Sequence, residues 1–105
     1  MHAIVRRYEG IDTKRTDELT RKVGESLTPR LKKLPGFSGY FLIEAGDGIM
    51  SSVNFFDSSA QADESTRVVA EWLREEKLET LVPNPPKITG GKVIVQELMN
   101  GAARV

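Results

Sequence analysis

The chain has 105 residues, with 15 basic and 15 acidic side chains and no cysteine. One domain is expected, burying roughly 60 to 70% of the surface that its unfolded chain exposes. The balanced charge leaves no positive field to gather nucleic acid or anionic lipid, and the missing cysteines exclude disulfides, thiolate nucleophiles and cysteine metal sites.

His2 to Glu9 (HAIVRRYE) is β-branched and aromatic enough for a strand, closed by Gly10. Arg6 and Arg7 interrupt this early apolar run, so it does not read as a signal peptide, and no later run approaches the roughly 20 residues that span a bilayer. A cytoplasmic protein that makes no membrane contact is expected. Asp12 or Thr13 caps a first helix, whose stripe of Leu19, Val23, Leu27, Leu31 and Leu34 marks one buried face. Pro29 lies inside that stripe and predicts a kink or break there, and Pro35 with Gly36 ends the helix.

Phe37 to Glu44 reads as the second strand, Gly46, Asp47 and Gly48 as a tight turn, and Ile49 to Asp57 as the third strand. Ser58 and Gln61 have capping-box spacing at the start of a second helix, with Ala62, Val69 and Leu73, flanked by Val68 and Trp72, on its apolar face. Leu78 to Lys87, with Pro83, Pro85 and Pro86, reads as a long surface connection. Ile88 to Leu98 is the last predicted strand. The domain is expected over residues 1–99, with Asn100 to Val105 as a frayed tail.

The order βαββαβ predicts an α+β, ferredoxin-like fold: a four-stranded antiparallel sheet with both helices on one face, because parallel crossovers are right-handed. Every predicted strand is nevertheless apolar on both parities, as with Phe41 and Ile43 against Tyr40 and Leu42, or Val53 and Phe55 against Met50 and Phe56. A half-solvated sheet would alternate cleanly. The open face therefore needs a cover, and the simplest is a second copy of the chain in a symmetric homodimer.

Three segments, VRRYEG (Val5 to Gly10), LPGFSGY (Leu34 to Tyr40) and SVNFFDSSAQAD (Ser52 to Asp63) leading to AEWLRE (Ala70 to Glu75), carry a resemblance. Over His2 to Gln96 the chain resembles the dimeric α/β-barrel proteins of the antibiotic-biosynthesis-monooxygenase-like superfamily. The resemblance implies a ligand cavity between sheet and helices or near the dimer seam. Members of that superfamily include cofactor-free oxygenases acting on phenolic polycycles, haem-degrading enzymes and many uncharacterised proteins. The haem-degrading members rely on a histidine in the second helix, whereas the only histidine here is His2, so no cofactor is expected. The oxygenase members place an asparagine and a tryptophan close together near that helix. Trp72 matches, Val68 stands one turn earlier, and the nearest amide is Asn54 on a strand.

Polar side chains on apolar strands point to a cavity, because burying them without partners costs a few kcal/mol. Ser52 and Asn54 share a face with Met50 and Phe56, and His2, Arg6 and Tyr8 share one with Ile4. His2 and Tyr8 are the candidate bases, with Arg6 and Asn54 as oxyanion donors. Tyr40, Ser52, Phe56 and Trp72 are the candidate pocket lining. A one-residue slip would put Arg7 inward in place of Arg6. No metal-ligand spacing is present. Two functions fit: a cofactor-free monooxygenase acting on a small aromatic or enolic metabolite, and a non-catalytic dimer that binds a small apolar ligand.

Overall fold

The computed structural model describes residues 1–98. Strand β1 (His2–Tyr8) lies between β3 (Ile49–Phe56) and β4 (Lys87–Lys92), and β2 (Phe37–Gly46) completes an antiparallel sheet in the order β2-β3-β1-β4. This is the ferredoxin-like α+β arrangement. Gly46, Asp47 and Gly48 all take positive φ in the β2–β3 turn, as the short connection requires. Helix α3 (Ser59–Glu75) opens on the expected capping box: Gln61 N–H donates to Ser58 Oγ at 3.3 Å, and Ser58 N–H donates to Gln61 Oε1 at 3.2 Å.

The first helical region is segmented. A 3₁₀ turn (Thr13–Arg15), capped by Asp12, leads into α1 (Thr16–Lys22), a π turn (Val23–Leu27) and α2 (Thr28–Lys32). The irregularity thus falls one turn before Pro29, not at it. In a regular helix the Pro29 ring would meet the carbonyl four residues earlier, on Glu25. The π turn relieves that clash, with Thr28 N–H bonded to Val23 O, and Pro29 sits harmlessly in the first turn of α2. Steps of four residues overshoot a 3.6-residue turn by about 40° each. The wide turn takes up this drift, and Leu19, Val23, Leu27 and Leu31 all stay buried.

Two other expectations are corrected. Leu78 to Lys87 is not all surface: Leu78, Leu81 and Val82 are buried in the core. Lys77 takes φ 58°, and the bonds Lys77 N–H to Arg74 O and Leu78 N–H to Leu73 O form a Schellman motif that turns the chain back over the core. The last strand ends at Lys92 instead of Leu98. It is an edge strand paired with β1, and its ladder ends at the Lys92–His2 pair where β1 begins, with one more bond from Val93 N–H to Met1 O. Ile94, Val95 and Leu98 are exposed. The predicted tail, Asn100 to Val105, lies outside the described residues.

The sheet face under the helices carries Ile4, Arg6 and Tyr8 of β1 and Met50, Ser52, Asn54 and Phe56 of β3, all buried. On the opposite face Phe41 and Ile43 are 56% and 49% exposed, and Phe41 packs edge-on against Phe55. No helix among the described residues is long and apolar enough to cross a membrane.

Candidate functional site

Register settles which arginine turns inward. Arg6 faces Ser52 across β1–β3 and is 1% exposed, whereas Arg7 points the other way and pairs with Glu9 in solvent. Asn54 lies opposite Ile4 on one side and Tyr40 on the other. Directly opposed residues point to the same face with Cβ atoms about 5 Å apart, so Arg6, Ser52, Asn54, Tyr8 and Tyr40 form one polar island beneath the helices.

The island is only partly satisfied. Arg6 Nη2 donates to Ser65 Oγ at 2.6 Å and Thr66 Oγ1 at 2.9 Å, both on α3, and Ser65 in turn donates to Ala62 O at 2.5 Å. Arg6 Nε and Nη1, and both amide atoms of Asn54, are buried with no partner among the described residues. Nor does Arg6 pair with a carboxylate among them; the ion pairs there are made by other cations at the surface. Burial lowers the Arg6 pKa, and the neighbouring Tyr8 and Tyr40 partly oppose this. Burial raises both tyrosines above the ordinary phenol value, Arg6 acting in the opposite direction. Both phenols therefore stay protonated at neutral pH and do not act as bases.

Beside the island is a cavity of about 30 Å³. Tyr8, Tyr40, Met50 and Ser52 form its sheet side, Val23 and Leu27 come from the π turn, and Val69, Trp72 and Leu73 come from α3. That volume holds about two waters. A ring-sized ligand enters only if the helical layer moves outward.

Of the residues singled out from sequence, Tyr8, Tyr40, Ser52 and Trp72 line this cavity, and Arg6 and Asn54 flank its sheet wall. His2 lies four residues from Arg6 along β1, about 13 Å at strand rise, and faces Phe56. Phe56 packs edge-on against Phe37 in a separate cluster with Ile4 and Ala62. Neither lines the cavity. Sequence reasoning missed Ser65, Thr66 and Ser26. Ser65 could have been found, since it interrupts the buried stripe Ala62, Val69, Trp72 as a polar residue at helical spacing.

No protein-family model matches the sequence, and no curated protein does. Solved structures do resemble it. A Nitrosomonas europaea protein of unknown function is 18% identical, with 93% of each chain covered and a TM-score of 0.72. The ActVA-Orf6 monooxygenase of Streptomyces coelicolor, solved with nanaomycin D, is 15% identical over 93% of this chain and 91% of that one, with a TM-score of 0.70. A variant of MhuD with two manganese protoporphyrin IX molecules bound per active site is 13% identical over 94% of this chain and 100% of that one, with a TM-score of 0.73. At this identity the likeness is one of fold: the chain has the fold of the antibiotic-biosynthesis-monooxygenase-like proteins.

Proposed function

We propose that the chain is a cofactor-independent monooxygenase that binds a small fused-ring phenol or enol as its anion. The observation that carries this reading is the buried guanidinium of Arg6, which lacks a carboxylate partner among the described residues and keeps unused donors beside an unpaired Asn54 amide. A buried cation without a counter-ion is costly, and a ligand oxyanion is the group that would satisfy it. The apolar cavity walls suit an aromatic ring, and ActVA-Orf6, which shares the fold, was solved with the polycyclic nanaomycin D.

Arg6 would lower the pKa of a bound phenol or enol, so the substrate ionises on binding and its proton leaves to solvent without a protein base. This replaces His2 and Tyr8 as bases, because His2 is remote and Tyr8 is held protonated. The bound carbanion then transfers an electron to dioxygen, and recombination gives a peroxide. Loss of water leaves a new carbonyl. For an anthrone, one oxygen atom enters the quinone, the other leaves as water, and the substrate supplies all the electrons. Haem does not fit: α3 carries no histidine to hold its iron.

We place a second copy of the chain on the open sheet face of Phe41 and Ile43, as a homodimer. A non-catalytic ligand-binding dimer is the second reading, favoured by the lack of a base among the described residues beside the cavity. Oxygen uptake with anthrone, without added flavin or metal, separates the two. The monooxygenase reading expects turnover that falls about 100-fold in Arg6→Met. Tight binding of anthrone without oxygen uptake would leave the binding reading in its place.

A further inference from the structure

Trp72 forms part of the helix-side wall of the cavity and is 1% exposed. Its indole N–H donates to Ser26 Oγ at 2.9 Å. Trp72 belongs to α3 and Ser26 to the π turn, so this single bond joins the two helical elements that face each other across the cavity. The wide turn makes the meeting possible. It keeps Val23 and Leu27 pointing inward as cavity wall while bringing Ser26, between them in sequence, up to α3.

We propose that Ser26 is the positioning residue for Trp72: the bond fixes the indole plane, ties the π turn to α3, and so sets the size of ring that the cavity admits. A buried indole N–H needs an acceptor. Without the Ser26 hydroxyl the ring would turn to find another, and the wall it forms would move with it. The claim about ring size rests on the proposed ligand role of the cavity; the claim about positioning does not.

The test uses the full chain, in which Trp72 is the only tryptophan, so intrinsic fluorescence reads this residue alone. Ser26→Ala is expected to raise acrylamide quenching of Trp72 at least twofold, and Ser26→Thr, which keeps the hydroxyl, to restore it. Unchanged quenching in Ser26→Ala would show that packing alone holds the indole, and would overturn the proposal. Ring size is read by calorimetric titration with 2-naphthol and with anthrone. The wild type should favour the two-ring probe, and Ser26→Ala should narrow that preference about fivefold, the worth of one ordinary hydrogen bond. In a Trp72→Phe background Ser26→Ala should change nothing further. An equal loss of affinity for both probes in Ser26→Ala would refute control of ring size. If neither probe binds the wild type, the ligand reading and the ring-size claim fall together, while the quenching result still decides whether Ser26 positions Trp72.

Discussion

Replacing Asn54 by leucine should stabilise the protein and damage its function. Asn54 is fully buried, and neither its Oδ1 nor its Nδ2 has a partner among the described residues. A buried polar atom left unpaired costs about 1 to 3 kcal/mol, which puts an upper range of about 2 to 6 kcal/mol on the two together. Leucine shares the branched shape of asparagine and removes both penalties, but its methyl groups are bulkier than the amide, and overpacking a filled core costs about 1 to 3 kcal/mol. The midpoints of these two ranges, about 4 and about 2 kcal/mol, leave an expected gain of about 2 kcal/mol for Asn54→Leu, seen as a higher urea midpoint at unchanged m-value. The same change removes a donor from the proposed oxyanion site, so anthrone oxidation should fall about 100-fold. Stability gained at the expense of activity is what a group retained for a ligand should give. A loss of 1 kcal/mol or more would mean that Asn54 is a satisfied core amide, and the reasoning from its unpaired atoms would fail.

The raised pKa values of Tyr8 and Tyr40 predict a decline of stability at alkaline pH. Above about pH 10 the unfolded chain sheds phenolic protons that the folded chain keeps, so stability falls by up to about 1.4 kcal/mol per pH unit for each phenol, and below that pH neither contributes a slope. Urea midpoints measured from pH 8 to 11 would show the break, and a flat profile would contradict it. Leu31→Ala should cost about 2 to 5 kcal/mol by opening a cavity. Pro29→Ala should cost less than about 1 kcal/mol, because the π turn already accommodates the ring; denaturant titrations compare the two. Sedimentation equilibrium should show a dimer at micromolar concentration that Phe41→Glu converts to monomer, and a folded wild-type monomer across that range would remove the proposed cover of the open sheet face.

Local signals carried most of the fold. The Gly46–Asp47–Gly48 turn and the Ser58–Gln61 box depend on residues a few positions apart, and both formed as expected. What failed depended on distant partners. The last strand ends at its pairing with His2, where strand β1 begins, which nothing within Ile88 to Leu98 reveals. Leu78, Leu81 and Val82 were masked by the prolines that follow them, and the reversal that buries them uses Lys77 in a conformation usually marked by glycine. The unbroken four-residue spacing of Leu19, Val23, Leu27 and Leu31 marks the π turn, whereas Pro29 lies one turn beyond it. At the candidate site, parity along β3 placed Ser52 and Asn54 on the buried face with Met50 and Phe56. Arg6 and Arg7 could not be separated, because both faces of β1 are apolar and only the packing of the helices distinguishes them. His2 shares the face of Arg6, yet distance along the strand removes it from the cavity.

Arg6 is proposed to hold a ligand oxyanion at the sheet wall of the cavity, and the ionisation of a bound phenol reads this directly. The absorbance of 4-nitrophenol, titrated with pH in the presence of saturating protein, reports whether the site binds phenol or phenolate. A partner cation lowers a neighbouring acid by about 1 to 3 pH units. The bound midpoint should therefore lie at least one pH unit below that of free 4-nitrophenol in the wild type and return to the free value in Arg6→Met. A bound midpoint equal to or above the free value in the wild type would contradict the claim.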